Sequence, residues 1–248
     1  MTRHERAATT TADAQAAPAA PTTTLTLVRH GQTYLNARRL MQGSCDSPLT
    51  RTGRLGVQST ARHLEPHSFH AAYSSPQGRA VMTAVEIVRR HEGLRLRTHE
   101  GLREVSFGIY ERRPEHELDR HEPWSRLVPA MLAGTHPGLP NGESGADYMA
   151  RVRRAFTEIV AAHPGEDVLV VGHGVTLGAY LSLVGHDGLA ALPNASVSRV
   201  AVSDGVARIL EVGTDVAGHG SLAARPAPAP DEVAPVAAPL AHAEPIPA

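Results

Sequence analysis

A single cysteine, Cys45, is present among 248 residues, so no intrachain disulfide can form. That usage fits a reducing compartment, and a cytoplasmic location is the expectation. No base or electropositive pocket is identifiable for Cys45, which reads as a structural or surface thiol. Long apolar runs are lacking, and none approaches the roughly 20 residues of a membrane span. Charge of one sign is lacking too: 24 basic residues face 25 acidic ones, for a net charge of -1. Overall charge thus gives no support for a nucleic-acid or membrane partner, and any positive potential must be local. No internal repeat is visible. Residues 1–23 are rich in Ala and Thr, and despite Arg3 and Arg6 they hold no continuous apolar segment. They read as a disordered tail and not a signal peptide. Without a secretory signal the sequon Asn194-Ala195-Ser196 means little. Residues 213–248, dominated by Ala, Pro and Gly, read as a second flexible tail, and His219 and His242 are too far apart to form a ligand pattern. One domain is expected between the tails, over 24–212, long enough to bury a full core.

Leu25 to Asn36, LTLVRHGQTYLN, is the stretch that organises this domain. Leu25 to Val28 is the apolar, β-branched run of a short buried strand. Arg29, His30 and Gly31 leave its C-terminal end, and in open α/β sheets ligands bind beyond the carboxyl ends of strands. A neutral histidine is a nucleophile, and a fixed guanidinium matches a phosphoryl group bidentately. Taken alone, Arg-His-Gly is also an ordinary strand exit.

After a loop at 42–48, Thr50 is expected to cap a helix over 51–64, weakened by Gly53 and Gly56. Residues 69–73 read as a second strand, ended by Ser74-Ser75-Pro76, and 77–91 as a helix with Arg79 in its first turn. A cation there opposes the helix dipole, and an anion bound at that terminus would resolve the conflict. Residues 94–97 read as a third strand. The proline-interrupted stretch of about 105–142, with short helical pieces near 115–120 and 124–133, reads as a lid or specificity insertion. A longer helix follows from Glu143-Ser144 to about 162. Asp167 to Val171 is a central buried strand, delivering Gly172-His173-Gly174 into a helix that reaches about 184. Val197–Val202 and Val206–Val212 form a hairpin. The expected fold is α/β: a three-layer sandwich with a mainly parallel central sheet, an antiparallel edge strand and helices on both faces.

In a parallel sheet His30, His173, Arg29 and Arg79 would converge on one edge. A cation cluster without carboxylate partners is costly unless an anion binds, and phosphate is the natural candidate.

The motifs resemble the histidine phosphatase superfamily, also called the phosphoglycerate mutase-like family. The matching pieces are Val28-Arg29-His30-Gly31-Gln32-Thr33 with Asn36, then Pro48-Leu49-Thr50. Ser74-Ser75-Pro76 with Arg79 and Thr83-Ala84 follows, then Leu102 to Gly108 containing Glu104 and Phe107, and last Gly172-His173-Gly174. They stand in the family's order over roughly 24–203. The resemblance implies that neutral His30 attacks phosphorus, that Arg29, Arg79 and His173 hold the phosphoryl oxygens, and that Glu104 donates and later removes a proton. Asn36 would add a neutral donor, although it is equally a candidate helix cap. Gln42 and Ser144 sit where family members often contact substrate, with turn and capping roles as alternatives. The arginines can do a metal's electrostatic work, so no metal or other cofactor is implied.

Two departures bear on activity. Where family members often read Trp-Glu-Gly, this chain has Ile109-Tyr110-Glu111-Arg112. Where true mutases carry basic and aromatic residues after the glutamate, it has Val105-Ser106. The expectation is a metal-independent phosphomonoester hydrolase acting on a small phosphorylated metabolite through phosphohistidine. The alternatives are a phosphoglycerate mutase and a non-catalytic phosphate-binding module. A dinucleotide oxidoreductase is disfavoured, since the Gly172-His173-Gly174 glycines do not continue into G-x-G-x-x-G.

Overall fold

Alternation along three short apolar strands sets the architecture. Leu25 and Leu27 enter one core cluster and Val28 the other; Val168 and Val170 divide from Leu169 and Val171 in the same way, as Tyr73 does from Ala72. A strand apolar on both faces must be covered on both faces. The computed structural model, which describes residues 21–187 and 192–218, meets that requirement with helices on each side. Most of the expected N-terminal tail, the C-terminal tail from residue 219, His219 and His242 lie outside the described residues.

In chain order the elements are β1 (Thr23–Arg29), α1 (Tyr34–Ala37), α2 (Arg51–Leu64), β2 (Ala71–Ser74), α3 (Gly78–Val88), β3 (Leu96–Thr98), α4 (Glu115–His121), α5 (Trp124–Leu132), α6 (Gly145–Ala162), β4 (Asp167–Gly172), α7 (Gly174–Leu183), β5 (Val197–Ser203) and β6 (Val206–Thr214). The sheet order is β3-β2-β4-β1-β5-β6. β1 to β4 run parallel, and the β5–β6 hairpin adds the antiparallel edge through β5 against β1. Its turn is built on Asp204 and Gly205, both at positive φ (52° and 73°), the backbone that a tight hairpin twist demands.

The larger cluster joins β1, β2 and β4 to Tyr148, Val152, Phe156 and Ile159 of α6 and Leu177 and Tyr180 of α7; the smaller joins them to Ala61 and Leu64 of α2 and Ala80, Ala84 and Ile87 of α3. Phe156 stacks on Tyr180 with ring centroids 3.7 Å apart, tying α6 to α7. Leu118, Leu127, Met131 and Leu139 of the 105–142 insertion are buried in the larger cluster, so this segment is anchored to the domain by its own apolar residues. Among the described residues no helix is long and apolar enough to cross a membrane.

Several boundaries shift from expectation. β2 starts at Ala71 and not Phe69; ahead of it the His70 N–H donates to Asp167 O at 2.8 Å and His70 Nδ1 accepts the Asp167 N–H at 3.2 Å. α3 ends at Val88, three residues before His91, and β6 runs two residues past 212. α1 had no counterpart in the sequence reading; Thr33 and Asn36 close it with reciprocal caps. Thr50 does cap α2, accepting from Gly53 N–H at 2.9 Å, worth about 1 kcal/mol.

Candidate active site

The sheet register brings three strand ends level. Arg29 pairs with Gly172, and Ser74 with Val171. The His30 N–H then donates to Gly172 O at 2.9 Å, and the Ser75 N–H to Val171 O at 3.0 Å. Arg29, His30 and His173 leave neighbouring strands side by side, and the His30 and His173 rings meet edge to face at 5.2 Å. Gly31 is required where the chain turns: a Cβ there would lie 2.5 Å from Val57 Cγ2 and 2.8 Å from Gly53 O. Gly174 has a different task, since a Cβ would stand 3.2 Å from Arg29 Nε.

His30 is buried, and both ring nitrogens have partners. Nδ1–H donates to Gly31 O at 2.8 Å, and Nε2 accepts from Arg79 Nε–H at 3.3 Å. The second contact needs a lone pair on Nε2, which assigns the neutral, Nδ1-protonated tautomer. Burial first, then Arg79 and Arg29, hold the His30 pKa well below 6.5. His173, with no exposed surface, is depressed by burial and then by Arg79, His30 and Arg29. Its two ring nitrogens and Arg29 Nε are buried with no hydrogen-bond partner among the described residues. Burial pulls the Arg29 pKa down to about 10, with Glu104 opposing and Arg79 adding to the fall. Arg29 Nη1 donates to Leu192 O. Buried donors with nothing to donate to, beside two buried cations, fit a doubly charged anion.

Arg79 departs from its expected setting. It lies in the first turn of α3, but the loop at 43–46 answers its charge: Nη2 donates to Gly43 O at 2.8 Å, and Nη1 to Cys45 O at 2.8 Å and Asp46 Oδ1 at 3.1 Å. The cation cluster therefore does have a carboxylate neighbour, Asp46, contrary to the sequence reading. Glu111 holds that loop in turn. It accepts from Ser44 N–H and Oγ–H at 2.7 Å each, from Cys45 N–H at 2.6 Å and from Phe107 N–H at 3.2 Å. Burial pushes its carboxyl up, but the Ser44 and Cys45 donors together outweigh it and hold the carboxyl below the usual range. Cys45 Sγ contacts Met41 O, and burial beside Glu111 raises its thiol to about 11, against nucleophilic use.

Glu104 is buried at the N-terminus of α7. Oε2 accepts from Val175 N–H at 3.0 Å; Oε1 accepts from the Thr176 N–H and hydroxyl and from Val105 N–H, at 3.0, 2.9 and 3.1 Å. A carboxylate at a helix N-terminus is also favoured by the dipole. Arg151 fixes the loop bearing it, donating to the carbonyls of Gly101, Arg103 and Glu104 and pairing with Glu143.

The other named residues are placed less directly. Asn36 Oδ1 accepts from Thr33 N–H and Asn194 Nδ2–H, and Asn194 also donates to His30 O, so Asn36 is linked to the histidine through Asn194. Gln42 is engaged at both ends: Oε1 accepts from the hydroxyl of Thr33, the cap of α1, and Nε2 donates to Ser47 Oγ in its own loop. Ser144 caps α6, accepting from Asp147 N–H, and no contact joins it to the histidines. Sequence reasoning passed over Asn194, Thr176, Arg151 and Glu111. Asn194 was visible only as a sequon, and the partners of the others are remote in sequence. Among the described residues no three His, Cys, Asp or Glu side chains cluster as metal ligands.

Comparison with known proteins identifies the family and the fold. The profile of the histidine phosphatase superfamily (branch 1) matches residues 25–215. A probable phosphoglycerate mutase GpmB of Salmonella choleraesuis is 33% identical over 216 residues, covering 84% of this chain and 97% of the relative. Among solved structures, Bacillus stearothermophilus YhfR superposes with a TM-score of 0.67 at 32% identity, over 77% of this chain and 97% of its own. A mycobacterial glucosyl-3-phosphoglycerate phosphatase gives 0.66 at 27% identity, over 78% and 99%. A family profile that matches residues 25–215, most of the chain, makes this protein a member of the histidine phosphatase superfamily, branch 1.

Proposed function

We propose that the protein is a metal-independent phosphomonoesterase that works through a phosphohistidine on His30. The observation that carries this reading is the Arg79 Nε–H to His30 Nε2 contact, which leaves the imidazole neutral with its lone pair on the reactive nitrogen. In the first half-reaction His30 Nε2 forms a bond to phosphorus while the ester P–O bond breaks. Glu104 gives its proton to the departing oxygen. Arg29, Arg79 and His173 stabilise charge on the phosphoryl oxygens, with Asn36 as a neutral donor. In the second half-reaction water attacks phosphorus, Glu104 takes the water's proton, the N–P bond breaks, and its electron pair returns to Nε2. The substrate is a small phosphate ester; a cytoplasmic location and a catalytic domain over 24–212 belong to the same proposal.

Hydrolysis is favoured over phosphoglycerate mutation by the residues that follow Glu104: Val105-Ser106 stand where true mutases carry basic and aromatic residues. The mutase reading rests on the names given to relatives such as the Salmonella protein. Phosphate release from p-nitrophenyl phosphate and from a panel of sugar and glycerate phosphates, with chelator present, tests the proposal. Turnover that persists with chelator and vanishes in His30→Ala supports it. Transfer between phosphoglycerate positions that needs a bisphosphoglycerate primer, without net release, would replace it with the mutase.

A further inference from the structure

Thr176 is fully buried in the first turn of α7, and its hydroxyl has more acceptors than protons. Oγ1 lies 2.8 Å from Arg103 O and 2.9 Å from Glu104 Oε1. Only one of them can receive the single hydroxyl proton at a time. The Tyr148 hydroxyl, also buried, stands 3.3 Å from Oγ1 as a donor and occupies one of its lone pairs. Neither choice leaves a buried group bare. When the proton points to Glu104, Arg103 O still accepts from Arg151 Nη1 at 2.7 Å. When it points to Arg103, Glu104 Oε1 still accepts from the Val105 and Thr176 N–H groups.

We propose that Thr176 is a positioning residue for proton transfer, a hydroxyl that turns to Glu104 Oε1 when Glu104 is a carboxylate and to Arg103 O when Glu104 carries its proton. The inference rests on the reading of Glu104 as the acid and base of a phosphatase. Oε2 is the oxygen that exchanges the proton, because it accepts from one N–H whereas Oε1 accepts from three donors. As the Oε2–H bond breaks and the proton goes to the leaving oxygen, the electron pair stays on Oε2 and the Thr176 hydroxyl turns to Oε1. When water is deprotonated, its proton goes to Oε2 and the hydroxyl turns back. Thr176 gives up no proton in either step. Its hydrogen bond favours the charged form of Glu104 alone, and so assists the proton's departure.

The test is the pH dependence of kcat/KM on glycerol 2-phosphate, a poor leaving group, for the full-length wild type, Thr176→Val and Thr176→Ser, with p-nitrophenyl phosphate as a good leaving group for comparison. The descending limb on glycerol 2-phosphate should move up by about one pH unit in Thr176→Val, and its plateau should fall about tenfold. Nitrophenolate departs without protonation, so that substrate should change less than about threefold. Thr176→Ser should restore both the limb and the plateau. Should Thr176→Val fail to fold, Thr176→Ala removes the same hydroxyl in a helix-favouring residue and is read identically. Superimposable profiles, or an equal loss on both substrates without a moved limb, would overturn the proposal while leaving the phosphatase reading intact. A wild type lacking His30-dependent release would overturn both.

Discussion

Arg79 donates its Nε proton to Nε2 of His30 across 3.3 Å, while its Nη atoms are held by the carbonyls of Gly43 and Cys45. The arginine is fixed from behind and presents one edge to His30. It therefore fixes the histidine's tautomer and, in the proposed mechanism, places a positive charge beside the phosphoryl group. Replacing it with Ala should lower kcat/KM by about a hundredfold or more. Arg79→Lys should recover little of this, because an ammonium cannot span the loop carbonyls and His30 together. Recovery to within about fivefold of wild type by lysine would show that charge alone suffices.

Stability should depend on pH through the two buried histidines. His30 and His173 both have pKa values held well below 6.5 in the fold. The unfolded chain takes up these protons as pH falls through about 6.5, and the folded chain does not. Their contribution to stability is thus complete above about pH 6.5 and is lost as pH falls below it toward the depressed folded values. Each can contribute a slope of at most about 1.4 kcal/mol per pH unit. Thermal melts should show the midpoint falling across that window, and the fall should be shallower in His173→Gln. Identical slopes in the two proteins would contradict the assignment.

Gly53→Ala should destabilise the protein although it lies inside a helix. In a free helix the change gains about 1 kcal/mol. Here the new Cβ would lie 2.0 Å from Gln32 O, the segment that follows His30 and Gly31. A net loss of about 2 kcal/mol is expected in urea unfolding. A gain would mean that the Gln32 turn moves freely.

Glu111→Gln should impair catalysis without touching phosphate. The carboxylate gathers Ser44, Cys45 and Phe107 donors, and the loop it shapes holds Arg79. A neutral amide with one acceptor oxygen cannot serve the same set. A fall in kcat of about tenfold, with the fold retained by circular dichroism, is expected; unchanged kcat would detach this loop from Arg79's placement.

The strand exits were legible in the sequence because Leu25 to Val28 and Asp167 to Val171 are short, apolar runs followed at once by histidine and glycine. Residues whose meaning lies in their own neighbourhood, such as Thr50 as a cap, were legible for the same reason. What could not be read depends on partners far along the chain. Gly53 looked like a weak point in a helix until Gln32 was packed against it. Arg79 looked as if it waited for an anion until the 43–46 loop supplied carbonyls and Asp46. Thr176, 72 positions from Glu104, showed no local signal at all.

The most direct measurement is of the covalent intermediate. The protein is mixed with a labelled phosphate ester, quenched within one turnover, and digested for mass spectrometry. Nucleophilic His30 predicts an acid-labile, alkali-stable phosphoryl group on the peptide bearing His30, absent from His30→Ala and accumulating in Glu104→Gln with p-nitrophenyl phosphate, whose leaving group needs no proton while hydrolysis of the intermediate still needs the base. Rapid turnover with no phosphoryl group on His30 at any quench time, or with the group on another residue, would contradict the mechanism.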